Sequence, residues 1–226
     1  MSLAPIGIFV IPYLIGSIPT GYWLGKIWKG IDVRQFGSGN LGATNVFRVL
    51  GWKAGLLTLV IDVLKGLAAV GVASLSLPTF NYNSYVETSF LHSEPLFLQF
   101  PLQLQLPVWI GGVSAILGHS FSPFVKFRGG KGVATAAGVL FTLMPPETTI
   151  ALMAFALVFA FCRIVSLSSI IAAIVLALST FVLSHHSHVK YFASFVALFI
   201  IWRHRENIVR LLNGTEKPLR SNEQTN

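Results

Sequence analysis

The sequence predicts an all-α fold, a polytopic integral membrane helical bundle of about seven transmembrane helices. Three observations predict it. The composition is 54% hydrophobic and only 11% charged, with a mean hydropathy of +0.71, whereas soluble domains hold roughly 45–50% apolar and about 25% charged residues. Apolar blocks recur all the way to Trp202 instead of standing once ahead of a polar chain, so a secretory signal before a soluble body is excluded. Basic residues gather in alternate connecting segments, as the positive-inside rule requires.

A spanning helix takes about 20 mostly apolar residues at about 1.5 Å rise each. The blocks that approach this length are Leu3–Lys26, Lys53–Leu77, Leu106–Phe121, Gly132–Ile150, Thr148–Cys162, Ser166–Leu183 and Val189–Trp202. The third and fourth are the shortest. Pro145 and Pro146 disfavour helical geometry just before them, which ends the fourth span near Met144.

Lys26, Lys29, Arg34, Arg48 and Lys53 lie between the first two spans, and Lys126, Arg128 and Lys131 precede the fourth. Arg163 follows the fifth, and Arg203, Arg205, Arg210, Lys217 and Arg220 close the chain. The opposite side has Lys190 alone, and residues 78–105 carry Glu87 and Glu94 without a Lys or Arg. This asymmetry places the N-terminus outside and the C-terminus in the cytoplasm, which requires an odd number of spans. Trp23, Trp28, Trp52 and Trp202 near cytoplasmic ends and Trp109 near the outer end fit the same frame. Residues 1–212 read as one membrane domain, 78–105 as an outer loop, and 213–226 as a polar, disordered cytoplasmic tail.

The net charge of +8 does not indicate nucleic acid, because the charges sit between spans and form no contiguous basic face. With one cysteine, Cys162, no intramolecular disulfide can form and the residue reads as packed. His185, His186 and His188 cluster in an outer loop without a carboxylate partner, so no metal is assigned.

Three polar clusters fall on the cytoplasmic side. SGNLGATNVFR, residues 38–48, supplies Ser38, Asn40, Thr44, Asn45 and Arg48 with glycines that let the backbone turn tightly. Arg48 can fork onto a phosphate; taken alone, the cluster serves equally well as a loop whose Ser and Asn cap the next helix. GHSFSPFVKFRGGKGVAT, residues 118–135, offers Gly129, Gly130, Lys131, Gly132 and Thr135. The backbone amides of its glycines and the positive end of the following helix favour an anion there. It is not a Walker A loop, because the spacing is absent and Gly132 follows Lys131. Without the other clusters, a flexible loop whose Lys126 and Arg128 snorkel to headgroups would explain it. His119 reads as a hydrogen-bonded structural histidine.

WRHRENIVR, residues 202–210, ends the last span. If the helix continues, Arg203, Glu206 and Arg210 share one side while His204 and Asn207 form an adjacent polar pair. Within the second span, Asp62 and Lys65 are three apart and costly in lipid unless paired, so they predict a structural ion pair beside the site.

Together SGNLGATNVFR, GHSFSPFVKFRGGKGVAT and RHRENI resemble the three cytoplasmic motifs of the bacterial acyl-phosphate:glycerol-3-phosphate acyltransferases, the PlsY family. Order, spacing and surrounding spans agree from Ile11 to about Glu216, and 78–105 stands as an insertion. The resemblance implies transfer of a fatty acyl group from acyl-phosphate to the 1-hydroxyl of sn-glycerol 3-phosphate, giving lysophosphatidic acid and phosphate in phospholipid biosynthesis. It implies no cofactor, a soluble partner enzyme that makes the acyl-phosphate, and a site on the cytoplasmic side of the bacterial inner membrane. By motif position it makes Ser38, Arg48, His204 and Asn207 catalytic, gives glycerol 3-phosphate to the Gly129–Gly132 loop, and leaves Glu206 structural.

The chemistry fits these residues. An acyl-phosphate is a mixed anhydride with a good leaving group, so positioning and charge neutralisation suffice without an acyl-enzyme. The alternative class is an organophosphate transporter, since a glycine-rich loop before a short span also presents a helix end to anions. Transport predicts polar groups near the bilayer midplane and on both faces, whereas all three clusters lie on one.

Overall fold

The computed structural model describes residues 6–75, 102–183 and 186–219. Of the outer loop expected over 78–105, residues 78–101 lie outside the described residues, as does His185, and residues 102–105 already belong to a helix.

Among those residues every regular element is helical. A π-helical turn at Ile6–Val10 leads into α1 (Ile11–Ser17), α2 (Thr20–Lys29), α3 (Ala43–Leu50) and α4 (Trp52–Ser74). There follow α5 (Leu102–Ser120), α6 (Val133–Leu143), α7 (Pro145–Cys162), α8 (Val165–Leu183), α9 (Ser187–Arg203) and α10 (Arg205–Leu212).

Among the described residues, five segments are long and apolar enough to cross a membrane: Gly7–Lys29, Trp52–Ser74, Gln105–Val125, Pro145–Cys162 and Val165–Leu183. The seven expected spans therefore divide into these five and two shorter helices, α6 with 11 residues and α9 with 17. The reason α6 is short is local. Gly132 starts it in a left-handed turn (φ 85°), and Pro145, which lacks an amide proton, begins α7 directly after Met144.

Lipid supplies no hydrophobic drive between helices, so close backbone approach has to hold them together. A Cβ on Gly66 would stand 2.2 Å from the Thr135 carbonyl oxygen, and one on Gly138 would stand 2.1 Å from that of Val63. The two glycines face each other across α4 and α6 and bring those backbones into contact. Gly16 and Gly118 do the same for α1 and α5. The apolar core lies among α5, α6, α8 and α9, with Ile116, Val139, Leu143, Leu176 and Val196 buried. Leu56, Leu64, Leu157, Phe161, Leu178 and Val182 point outward, as lipid-facing residues do.

The first span breaks at Pro19, and the break is satisfied from inside. The carbonyl of Ile18 accepts from the Lys65 ammonium at 2.7 Å. Lys65 is paired with Asp62 at 2.8 Å, and the Thr20 hydroxyl donates to the same carboxylate at 3.0 Å. An ion pair that would be costly in lipid thus closes a gap in the helix beside it.

Candidate active site

The site forms where helix ends meet at the basic end of the bundle. After a 3-10 turn at Val33–Gln35, the loop of residues 36–42 folds around Asn45, which is 1% exposed. The Asn45 side-chain oxygen accepts the Ser38 amide at 2.7 Å. Its nitrogen reaches the carbonyls of Val33 (2.9 Å), Phe36 (3.2 Å) and Asn40 (2.8 Å). Asn40 accepts from the Gly42 amide at 2.8 Å, an Asx turn that leads into α3. Both asparagines line the cavity, yet most of their hydrogen bonds shape the loop. Thr44 and Arg48, four apart on α3, present one face to the same space.

The glycine-rich loop folds back on the end of α5. The Gly129 amide donates to Ser120 (3.2 Å) and the Gly130 amide to His119 (3.1 Å). These two amides are therefore committed to the protein, and Lys131 and Gly132 present the loop to the cavity. Val133 and Ala134 of the first turn of α6 also line it, so the positive end of that helix faces the same point. Thr135 is fully buried behind the loop, with its hydroxyl 3.2 Å from His119 Nδ1. His119 Nδ1 also lies 3.3 Å from the Lys65 ammonium.

Lys131 donates to the side-chain oxygen of Asn207. Burial pushes its ammonium down to about 8, partly opposed by the nearby Glu216 carboxylate.

The last predicted helix does not run through. It breaks at His204, whose amide donates to Ile200 (3.1 Å) and Ile201 (2.9 Å), and resumes at Arg205. The break turns His204 and Asn207 into the cavity and leaves Glu206 exposed, away from it. His204 Nδ1 lies 2.8 Å from the Ile200 carbonyl. A carbonyl only accepts, so Nδ1 carries the proton and Nε2 keeps a free lone pair. Burial, reinforced by the Lys131 charge, pushes this imidazole down to about 4, so it is neutral near pH 7.

Two site residues escaped sequence reasoning. Glu216 falls in the segment expected to be a disordered tail. Instead, Gly214 turns at φ 67°, and the amides of Thr215 (2.8 Å) and Glu216 (3.2 Å) donate to the Arg210 carbonyl. The chain returns over the cavity, where Glu216 accepts from Ser166 (2.6 Å), Asn207 (2.6 Å) and Arg210 (2.6 Å). Burial pushes the Glu216 carboxyl up, but these three donors together outweigh it and hold the carboxyl below the usual carboxylate range. Arg48 donates to the Lys217 carbonyl at 2.9 Å, and the Leu219 amide donates to that of Arg163 at 2.7 Å. Ser166, at the start of α8, is the second missed residue. Gly214 after a helix was a C-cap signal that could have indicated the return of the chain.

The three clusters enclose one cavity of about 400 Å³. Ser38, Arg48, His204 and Asn207 all line it, as do Asp62 and His119 at its floor, whereas Lys65, Gly129, Gly130 and Thr135 stand behind. An apolar arm continues between α4, α6 and α7, walled by Leu59, Val63, Ala137, Phe141, Leu152 and Phe155. Among the described residues, no group of three His, Cys, Asp or Glu side chains could hold a metal ion.

A helical membrane bundle with a cationic, hydrogen-bonding chamber at one end and a greasy side arm defines an integral membrane protein shaped for amphipathic phosphate compounds. The family profile for glycerol-3-phosphate acyltransferase matches residues 6–214, and the chain belongs to that family. It is 44% identical to the glycerol-3-phosphate acyltransferase of Fusobacterium nucleatum, covering 92% of this chain and 94% of the relative. It is 42% identical to that of Listeria monocytogenes, covering 97% and 99%. Its fold is similar to the crystal structure of PlsY (YgiH), an integral membrane glycerol 3-phosphate acyltransferase, in the glycerol 3-phosphate form. That match has a TM-score of 0.78 and 36% identity, and covers 97% of each chain. The lysophosphatidic acid form of PlsY is similar with a TM-score of 0.75, 35% identity and the same coverage.

Proposed function

We propose that this chain transfers a fatty acyl group from acyl-phosphate to the 1-hydroxyl of sn-glycerol 3-phosphate, releasing lysophosphatidic acid and phosphate. One observation carries the reading: Arg48, Lys131, Ser38, His204 and Asn207, from three separate segments, line a single cavity that opens into an apolar arm. Cationic side chains and a helix start suit two phosphate-bearing substrates. The arm suits the acyl tail, which enters from the inner leaflet between α4, α6 and α7.

Glycerol 3-phosphate sits with its phosphate toward Lys131, Gly132 and the first turn of α6, and Arg48 holds the phosphate of the donor. The C1 hydroxyl oxygen attacks the acyl carbon. An ester C–O bond forms as the C–O bond to phosphate breaks, and the hydroxyl proton ends on the departing phosphate or on Nε2 of His204. Ser38 donates a hydrogen bond rather than forming an acyl-enzyme, because the donor is already activated. Asn207, held between Lys131 and Glu216, fixes the ammonium near the anion.

Residues 1–212 form one membrane domain in the bacterial inner membrane, completed at the site by Glu216, with the site on the cytoplasmic side where a soluble enzyme delivers acyl-phosphate. Transport has no comparable support, since Arg48 and Lys131, the cations that would hold phosphate, come from helix ends at one end of the bundle. The test is purified protein in lipid, offered acyl-phosphate, acyl-CoA or acyl carrier protein. Phosphate release that needs both acyl-phosphate and glycerol 3-phosphate is expected; use of acyl-CoA without phosphate release would replace the donor assignment.

A further inference from the structure

We propose that Arg203 is a positioning residue for glycerol 3-phosphate, acting through the Gly130 carbonyl to aim the Lys131 peptide unit at the cavity; this rests on the acyltransferase reading above. Arg203 is the last residue of α9, one before the break at His204. Its guanidinium donates to the Gly130 carbonyl at 2.8 Å. It lies 5.4 Å from the Phe121 ring and 5.8 Å from the Trp202 ring, which hold it against the end of α5. Neither Arg203 nor Gly130 lines the cavity, but Lys131 does. Arg203 therefore acts at one remove from any bound phosphate.

The link is the peptide plane. In a trans peptide the carbonyl of Gly130 and the amide N–H of Lys131 belong to one rigid unit and point in opposite directions. An arginine that holds the oxygen on its own side turns the Lys131 N–H away from itself. A charged donor on the oxygen also polarises the unit, which makes that N–H a stronger donor. Two consecutive glycines would otherwise leave this plane free to rotate.

The other side of the loop is closed as well. The Gly130 amide donates to the His119 carbonyl at 3.1 Å. A Cβ on Gly130 would stand 2.1 Å from Nε2 of His119. His119 is in turn set by Thr135 and by the Lys65 and Asp62 pair behind it. The Gly130 peptide is thus gripped between an imidazole and a guanidinium.

Arg203 also carries a cost that packing alone does not explain. Its Nε is buried and finds no acceptor among the described residues. A methionine would fill similar space without an unmet donor, so the benefit lies at the other end of the guanidinium, on the Gly130 oxygen.

The test compares wild type, R203M and R203K in lipid, with KM measured separately for glycerol 3-phosphate and for acyl-phosphate. R203M is expected to raise the KM for glycerol 3-phosphate by about tenfold, the effect of losing one charged hydrogen bond. Its kcat should stay within about threefold and its KM for acyl-phosphate should not move. R203K, which keeps a cationic donor, should recover most of the loss. An equal rise in both KM values, a fall in kcat at constant KM, or identical behaviour of R203M and R203K would overturn the proposal. Should R203M fail to yield folded protein in a thermal melt, R203Q against R203K decides by the same KM split, and equal loss in both counts against it. Wild type without glycerol 3-phosphate-dependent phosphate release would instead sink the acyltransferase reading itself.

Discussion

Asn207 donates to Glu216 at 2.6 Å and accepts from Lys131 with the other end of the same amide. A carboxylate from the C-terminal segment thereby reaches the glycine-rich loop through one side chain. The orientation of Asn207 follows from its two partners, since an amide can only accept at oxygen and donate at nitrogen. With Arg210 and Ser166 also on Glu216, four separate pieces of chain are tied at one point.

Glu216→Ala should therefore destabilise the protein by about 1–3 kcal/mol, because it strands three donors at a buried acceptor site. Glu216→Gln, which keeps an acceptor but not the charge facing Arg210, should lose less. The Glu216 carboxyl is held below its ordinary value. Its stabilisation is full above the usual carboxylate range of about 4 and is lost as the pH falls through the lowered folded value. Thermal melts in detergent between about pH 3 and 7 check both points; equal melting of E216A and wild type would show that the C-terminal return is not a structural tie.

Lys131 makes the alkaline side of the pH profile specific. Its ammonium is pushed down to about 8, so the cation facing the cavity is present below that value and lost above it. The KM for glycerol 3-phosphate should be flat up to about pH 8 and then rise, approaching tenfold per unit if the cation is obligatory. Lys131→Arg keeps its charge throughout and should flatten that rise. A wild-type KM unchanged to pH 10 would remove Lys131 from the binding of the anion.

Much of the candidate site was legible in the sequence because the polar residues that line the cavity are chemically conspicuous in an apolar chain. Arg48, Lys131, His204 and Asn207 are polar groups at span ends, and all four line one cavity. Asp62 and Lys65 were legible for the converse reason, since charges inside a span demand each other. What stayed hidden depends on turns. The break at His204 carries no proline or glycine to announce it. Glu216 stands in a polar stretch without periodicity, and only the left-handed Gly214 brings it back. The division of labour in the glycine loop, with Gly129 and Gly130 bonded to α5 and Gly132 at the cavity, depends on which way each peptide faces. No residue type encodes that choice.

Ser38 lines the cavity from an irregular loop, with its amide anchored on Asn45 at 2.7 Å. The anchor fixes the backbone, and in the proposed reaction the hydroxyl serves substrate. Ser38→Ala should lower kcat by about 10- to 1000-fold, the range for one donor aimed at developing charge. Labelled acyl-phosphate should leave no acyl group on the protein by intact mass, with or without glycerol 3-phosphate. A stable adduct on Ser38 would establish the two-step route in place of direct transfer.

His204 separates the two fates of the proton. Its Nδ1 proton is spent on Ile200, so Nε2 is the nitrogen available to a reacting hydroxyl. With the imidazole pushed down to about 4, the neutral form holds from about pH 5 upward, and kcat should show no inflection near the ordinary histidine value of about 6.5. If Nε2 takes the proton, His204→Gln should lose about 100-fold or more in kcat, because an amide oxygen accepts a hydrogen bond but not a proton. If the departing phosphate takes it, the same variant should retain most of its rate while His204→Ala, which also empties the space beside Lys131, should not. The ratio of those two variants, with acyl-phosphate saturating, decides the route, and equal activity of both with wild type would place His204 outside the chemistry.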